Sequence, residues 1–125
     1  MKCILIADDD KAIRDLLRLV LRRKGYETVE AENGKTAMAR YAELKPACVI
    51  TDLVMPDQEG IETIMQMRRH SHRAVIIAIS GDTGTRAATY LKMANSLGAD
   101  AILEKPFSVE QITTAVEKLV GKAES

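Results

Sequence analysis

Blocks of apolar residues recur along the chain and predict five strands that alternate with five helices. Short apolar runs stop at polar residues, as strands do, and the stretches between them carry apolar residues three and four positions apart, as helices do. The first such stretch contains Ile13, Leu16, Leu17, Val20 and Leu21. Strands are predicted at 4–7, 26–31, 47–51, 75–79 and 101–103, and helices at about 13–23, 34–44, 61–69, 85–97 and 109–120.

Capping residues support several of these boundaries. Asn33 and Ser108 precede predicted helices, and their side chains can accept hydrogen bonds from the backbone N–H groups of a first turn. Gly98 stands where the helix at 85–97 should end, the usual position of a C-terminal glycine cap. The helix boundaries therefore rest on local chemistry as well as on periodicity.

The alternation of strands and helices predicts an α/β fold with a doubly wound, five-stranded parallel sheet. Consecutive parallel strands need a crossover connection, and right-handed crossover helices cover both faces of the sheet. The strands at 47–51 and 75–79 are apolar without alternation, as burial on both faces requires. In such sheets the ligand crevice lies at the carboxyl ends of the strands, beside the point where the strand order reverses.

Length and charge indicate one soluble domain. A chain of 125 residues is long enough for one core and too short for two. Eighteen basic and eighteen acidic residues give a formal charge of zero, which argues against direct binding to nucleic acid or an anionic membrane. The apolar runs are only strand-length and the N-terminus does not read as a signal peptide, so we expect a cytoplasmic protein.

Four residues with reactive side chains are interpreted as structural. Cys3 and Cys48 lie in apolar, strand-like segments, where a free thiol acts as a small hydrophobic group. His70 and His72 lie in a polar loop and are predicted to be solvated. None of the four is assigned a function.

Polar or charged residues follow four of the five predicted strands. Asp8 and Asp9 follow the first strand, Asp52 the third, Ser80 the fourth and Lys105 the fifth. Because the carboxyl ends of parallel strands share one edge of the sheet, we expect these side chains to meet there. Two carboxylates about 5 Å apart repel by roughly 3 kcal/mol at an effective dielectric of about 20. Three together therefore need a cation or must bind protons.

The residue types at this edge indicate magnesium and phosphoryl chemistry. Mg²⁺ prefers oxygen ligands and keeps several waters, which suits a few carboxylates with room for a phosphate. A carboxylate can attack phosphorus to form an aspartyl phosphate, and Lys105 and Ser80 could hold the oxygens of the transferring group. An acid at such a junction can also simply cap a helix, as Asp10 is placed to do. Spacing alone does not select the nucleophile among the acids.

These features resemble the receiver family of response regulators, and the resemblance covers nearly the whole chain. The matching segments stand in family order and together are highly specific. They are Ile-Leu-Ile-Ala-Asp-Asp-Asp at 4–10 with Arg14, Thr-Asp-Leu-Val-Met-Pro-Asp at 51–57 with Gly60, Ser80-Gly81, and Lys105-Pro106-Phe107. The resemblance implies a flavodoxin-like, CheY-like (βα)5 fold with strand order 2-1-3-4-5. We expect a single receiver domain over 1–125, whose last residues fit a natural terminus or a linker equally.

The resemblance also implies roles for the residues at the strand ends. Asp52 would be the phosphoacceptor. The ligands of Mg²⁺ would be Asp8, Asp9, Asp52 and the backbone carbonyl of Val54. Lys105 would contact the phosphoryl group after a cis peptide bond to Pro106, and Ser80 would move toward the phosphate.

By the same resemblance the chain is a signalling domain rather than an enzyme, although it assists its own phosphorylation and dephosphorylation. A histidine kinase or histidine phosphotransfer protein would supply the phosphoryl group. A downstream protein would bind the face formed by the predicted fourth helix, the fifth strand and the last helix. The protein is expected to be a monomer or a weak phosphorylation-dependent dimer.

Two features depart from the family pattern. Ile102 stands three residues before Lys105, where the family often has a tyrosine or phenylalanine whose rotation accompanies the movement of the hydroxyl. The stretch from Ser80 to Gly98 is also a few residues longer than usual. We therefore expect an altered aromatic switch and a rebuilt fourth helix or loop.

Two other functions compete with this interpretation. A magnesium-dependent phosphatase also forms an aspartyl phosphate, but it needs an Asp-x-Asp-x-Thr arrangement after the first strand and usually a cap domain. Here Asp10 is followed by Lys11 and Ala12, and no cap sequence is present. The other alternative is a receiver-like adaptor that is never phosphorylated, against which the retention of all the site residue types argues.

Overall fold

A parallel sheet and the helices packed on it account for most of the chain that can be described. The computed structural model describes residues 2–53, 60–80, 92, 96 and 98–122. The elements are β1 (Cys3–Ala7), α1 (Lys11–Arg23), β2 (Glu27–Ala31), α2 (Gly34–Leu44), β3 (Cys48–Asp52), α3 (Gly60–Arg69), β4 (Val75–Ser80), β5 (Ala101–Glu104) and α4 (Val109–Val120). The helix predicted at 85–97 falls largely outside the described residues. Within that range only Lys92 and Ser96 are described, and both are helical.

All five strands are parallel and lie in the order β2-β1-β3-β4-β5. The order reverses at β1, because β2 lies on one side of it and β3 on the other. Neighbouring residues of a strand point to opposite faces, so Leu5 and Val49 join one core cluster while Ile4 and Ile50 join another. Burial on both faces explains the uninterrupted apolar runs and confirms the predicted doubly wound α/β fold.

Side-chain caps begin three of the helices. Asp10 accepts a hydrogen bond at 2.9 Å from a first-turn backbone N–H of α1, and Asn33 accepts one at 2.8 Å in α2. Ser108 and Gln111 form a capping box at the start of α4. The predictions for Asn33 and Ser108 are confirmed. Helix α1 begins at Lys11, earlier than the apolar periodicity indicated, because Asp10 caps its first turn.

The two cysteines behave as the structural interpretation expects. Both are free thiols. Burial raises the pKa of Cys48 to about 12, so its thiol stays protonated at neutral pH.

The prediction that His70 and His72 are solvated is wrong. Both residues are half-buried. The ring of His70 meets that of Tyr41 edge-on with centroids 5.5 Å apart, and Nε2 of His72 lies 2.6 Å from the carbonyl oxygen of Pro46. Tyr41 is fully buried, and its hydroxyl donates to the carbonyl of His72 at 2.7 Å. The loop after α3 therefore packs on α2, which a polar sequence alone does not reveal.

Gly60 allows α3 to begin directly against the end of β3. A Cβ atom at this position would overlap the carbonyl oxygen of Asp52 and would lie 2.6 Å from the Cα atom of Leu53. Both neighbours are backbone atoms, which cannot turn aside as a flexible side chain can. The N–H of Gly60 also donates to the carbonyl of Leu53 at 2.9 Å. Helix and strand are thus joined next to Asp52.

Replacing Gly60 by alanine should destabilise the fold, although alanine is the better helix former. The added methyl group has to displace the backbone of β3 or α3. We therefore expect the free energy of unfolding to fall by about 1–3 kcal/mol. Urea denaturation followed by circular dichroism measures this, with the exposed Glu62→Ala in the same helix as control. Equal stability of Gly60→Ala and the unchanged protein would contradict the close approach.

Candidate functional site

Strands β1 and β3 bring three carboxylates to one edge of the sheet. Asp52 is the last residue of β3, and Asp8 and Asp9 directly follow β1, whose final residue pairs with Thr51. Each acid places one carboxylate oxygen within 4.8 Å of those of the other two. Asp8 and Asp52 are buried and Asp9 is exposed. The three acids predicted to bind a metal therefore lie together, one open to solvent and two inside.

Lys105 forms ion pairs with two of these acids. It follows the edge strand β5, and its Nζ atom lies 3.1 Å from Oδ2 of Asp8 and 3.3 Å from Oδ2 of Asp52. Burial lowers the pKa of Lys105, but the charges of Asp52 and Asp8 outweigh burial and the pKa is raised overall. The ammonium group therefore stays charged at neutral pH, between the two buried carboxylates.

Hydrogen bonds hold the backbone and one oxygen of Asp8. Its N–H donates to the carbonyl of Ala31 at 3.1 Å, and Arg14 donates to its carbonyl at 2.7 Å. Its Oδ1 accepts the backbone N–H of Asp10 at 2.9 Å. The sequence indicates Arg14 only as part of the family pattern. Its place one helical turn after Asp10 is the signal that it can reach back to the strand end.

The second carboxylate oxygen of Asp8 is buried. Among the residues described it has no well-aligned hydrogen bond, and its polar contact is the ion pair with Lys105 at 3.1 Å. Burial raises the pKa of Asp8 to about 6; the N–H of Asp10 lowers it, the charge of Asp52 raises it and Lys105 lowers it. Lys105 carries one positive charge against the three negative charges of the cluster. The donor set therefore fits a hard cation that binds oxygen.

Ser80 ends β4, between the acids and Lys105 along this edge of the sheet. The residue is buried, and its carbonyl accepts the backbone N–H of Lys105 at 2.7 Å. The peptide bond from Lys105 to Pro106 is cis, as the family resemblance implies. Val54, the predicted source of a backbone ligand, lies outside the described residues.

This strand order, with acids directly after β1 and at the end of β3, a hydroxyl at the end of β4 and a lysine after β5, defines the receiver class of signalling domains. The chain belongs to the response regulator receiver domain family, which it matches over residues 4–117. It is therefore a receiver domain of two-component systems, and the predictions of family and fold are confirmed.

Individual relatives agree with this assignment. The transcriptional regulatory protein SrrA of Staphylococcus aureus is 32% identical over 123 residues, which are 98% of this chain and 49% of SrrA. The chemotaxis protein CheY4 of Vibrio cholerae has a TM-score of 0.85 at 26% identity, covering 95% of this chain and 98% of its own. The signal receiver domain from Bermanella marisrubri has a TM-score of 0.85 at 31% identity, covering 94% and 97%. The chain thus spans about half the length of the curated relatives it matches.

Family membership sets the general role. Receiver domains are phosphoacceptor signalling domains rather than a class of enzymes, which disfavours the phosphatase alternative. Membership also implies a histidine kinase or phosphotransfer partner and a downstream target.

Asp8→Asn should stabilise the metal-free protein at neutral pH. The folded-state pKa of Asp8, about 6, lies above its ordinary value of 3.8, so the folded protein binds the proton more tightly than the unfolded chain does. The resulting stabilisation is complete below pH 3.8 and is lost as the pH rises through about 6. Asparagine stays neutral and can still accept the N–H of Asp10. The gain at neutral pH is at most about 3 kcal/mol.

Urea unfolding in EDTA across this pH range measures the effect. The free energy of unfolding of the unchanged protein should fall, relative to that of Asp8→Asn, as the pH rises from about 4 to about 7. Asp9→Asn, at the exposed acid, is the control and should change the free energy of unfolding much less. A variant less stable than the unchanged protein at every pH would contradict this description of Asp8.

Proposed function

We propose that this domain accepts a phosphoryl group on Asp52 from a histidine kinase or histidine phosphotransfer protein, and then signals to a protein partner. The observation that carries the proposal is the ammonium group of Lys105, 3.1 Å from Asp8 and 3.3 Å from Asp52 at the strand ends. A charged donor held among buried acids can bind the oxygens of a phosphoryl group when that group arrives.

The order of the strands supports Asp52 as the acceptor among the three acids. The strand ends follow one another as β1, β3, β4 and β5, so Asp52 lies between the acids of β1 on one side and Ser80 and Lys105 on the other. A phosphoryl group on Asp52 would therefore have metal-binding acids on one flank and donors on the other. Asp8 is more deeply buried, 1% exposed against 7% for Asp52, which suits a ligand better than a nucleophile.

The transfer itself exchanges one bond to phosphorus for another. A carboxylate oxygen of Asp52 forms the new P–O bond while the P–N bond of the donor phosphohistidine breaks. The bonding pair stays with the imidazole nitrogen, which leaves as neutral imidazole because the other ring nitrogen carries the proton. Lys105 moves from its ion pairs to an oxygen of the bound phosphoryl group, and the Ser80 hydroxyl donates to another.

We assign Mg²⁺ to the acidic cluster. Its ligands would be Asp8, Asp9, Asp52 and the backbone carbonyl of Val54, the last outside the described residues. The buried oxygen of Asp8, which has no well-aligned hydrogen bond among the described residues, and the exposed Asp9 suit an oxygen-binding cation that keeps part of its water shell. When bound, the ion supplies positive charge that offsets the acids and the oxygens of the transferring group.

The signal would be read on the face formed by the segment at 85–97, β5 and α4. Ile102 on β5 is half-buried and packs against the core cluster that contains Ala78. An aliphatic side chain at this place cannot signal by the rotation of a ring. The readout would therefore depend on Ser80 and the segment that follows it.

The remaining proposals concern the setting of the domain. We propose a cytoplasmic protein that is a monomer or a weak phosphorylation-dependent dimer and does not itself bind nucleic acid, since its formal charge is zero. Within the described parts of the chain, every helix is too short or too polar to span a membrane.

Incubation with acetyl phosphate, followed by intact mass measurement, tests the proposal. The unchanged protein should gain one phosphoryl group with Mg²⁺ and none in EDTA, because the acids need the cation before a phosphate can approach. Asp52→Asn should gain none. Asp15→Asn, a substitution on α1 outside the site, is the matched control and should be phosphorylated normally. A gain by Asp52→Asn would overturn Asp52 as the acceptor, and no gain by the unchanged protein would overturn the proposal and favour the unphosphorylated adaptor.

A further inference from the structure

The strand that delivers Lys105 is the least constrained of the sheet. β5 has four residues, lies at the edge and, among the described strands, pairs only with β4. Its first three residues are half-buried and the fourth is exposed. A strand with few buried side chains specifies its own register weakly, and a one-residue slip would turn every side chain to the other face. Contacts outside the strand must therefore hold its register.

Arg68, near the end of α3, supplies such contacts at the beginning of β5. Its Nε and Nη2 atoms donate to the carbonyl of Gly98 at 3.1 and 2.6 Å, and Nη1 donates to the carbonyl of Ala74 at 2.9 Å. Nη2 also lies 2.9 Å from a carboxylate oxygen of Asp100. The Arg68 side chain itself is 13% exposed; its bond to Ala74 is partly buried, whereas its bonds to Gly98 and Asp100 lie at the surface. One guanidinium group thus binds the chain just before β4 and just before β5.

Asp100 connects Arg68 to the hydrogen bonds between β4 and β5. Its N–H donates to the carbonyl of Ile76 at 2.7 Å, and its carboxylate accepts the N–H of Ile76 at 2.8 Å. The next residue pair, Ile77 with Ala101, opens the regular register of β4 and β5. A slip by one residue would break both bonds to Ile76 and the ion pair with Arg68.

The opposite end of α3 is fixed to the phosphoacceptor strand. Gly60 begins the helix in backbone contact with Asp52 and Leu53, and it donates to Leu53 at 2.9 Å. Arg68 lies eight positions after Gly60 on the helix, a rise of about 12 Å. From Asp100, Lys105 is five extended residues away, about 17 Å. Helix α3 therefore connects the end of β3, which carries Asp52, with the start of β5, which leads to Lys105, and its length fixes the distance between these two points.

We propose that Arg68 is a positioning residue: it fixes the register of β5 and thereby places the ammonium group of Lys105 between the two buried acids. The proposal rests on the phosphoryl-accepting function proposed above, because the placement of Lys105 matters for that chemistry. Arg68 acts only through Lys105. The metal-binding acids stand on β1 and β3, which Arg68 does not contact in the described structure.

Because Arg68 positions Lys105 and not the metal-binding acids, its loss should lower the phosphorylation rate without weakening the binding of Mg²⁺. Arg68→Ala should slow Mg²⁺-dependent phosphorylation by acetyl phosphate by about 10- to 100-fold, because a displacement of the order of 1 Å costs that much in a transfer reaction. Calorimetric titration should show Mg²⁺ bound no more weakly, because a displaced Lys105 no longer competes with the ion for Asp8 and Asp52. Arg69→Ala removes the same charge from the neighbouring, exposed position and should leave the rate unchanged. Asp100→Asn, which can keep the bond to Ile76, should slow the reaction in the same direction and less.

A double-mutant comparison separates positioning from a general loss of stability. In a Lys105→Met background, Arg68→Ala should have no further effect on the rate, since the group it positions is absent. An equal slowing in both backgrounds would overturn the proposal. Weakened Mg²⁺ binding in Arg68→Ala, parallel to the lost rate, would do the same.

Hydrogen exchange tests the register without any phosphoryl donor. The backbone amides of 101–105 should exchange faster in Arg68→Ala than in Arg69→Ala, while those of β1 and β3 keep their protection. Unchanged protection of 101–105 would overturn the positioning role. If the unchanged protein takes up no phosphoryl group, the proposed function fails, and exchange still decides whether Arg68 holds β5.

Discussion

The ion pairs of Lys105 with Asp8 and Asp52 are the interaction on which the site depends. They bring an ammonium group from the edge strand to carboxylates on two central strands, 3.1 and 3.3 Å away. This geometry is possible only because the strands are parallel and end at one edge of the sheet. Burial at this edge raises the pKa of Asp8 to about 6, although the charge of Lys105 lowers it. Buried acids close to one another cost stability in the absence of a counter-ion.

Much of the fold could be predicted because capping residues and apolar runs each indicate one kind of local structure. Asn33 and Ser108 cap helices where the sequence places them, and the apolar segments that lack alternation form β3 and β4, buried on both faces. A parallel sheet then requires the residues after the strands to share one edge. Asp8, Asp52 and Lys105 could therefore be grouped from sequence although up to 97 positions separate them, from 8 to 105.

Other features depend on packing that the sequence does not display. Arg68 contacts Asp100 across 32 positions, and no periodicity or motif links a helix-terminal arginine to the start of a distant strand. His70 and His72 follow a helix in a polar stretch, yet both rings contact the ring of Tyr41 and are partly buried. The choice of Asp52 among three acids likewise comes from strand order and family resemblance, because acids of equal chemistry are distinguished only by their neighbours.

The position of the phosphoryl group tests the central claim most directly. Borohydride reduces an aspartyl phosphate to homoserine, so treatment of the phosphorylated protein followed by peptide mass mapping locates the acceptor. The account predicts homoserine at position 52 and at no other acid. Homoserine at position 8 or 9, or none anywhere after phosphorylation, would contradict a site in which Asp52 accepts the phosphoryl group between the metal-binding acids and Lys105.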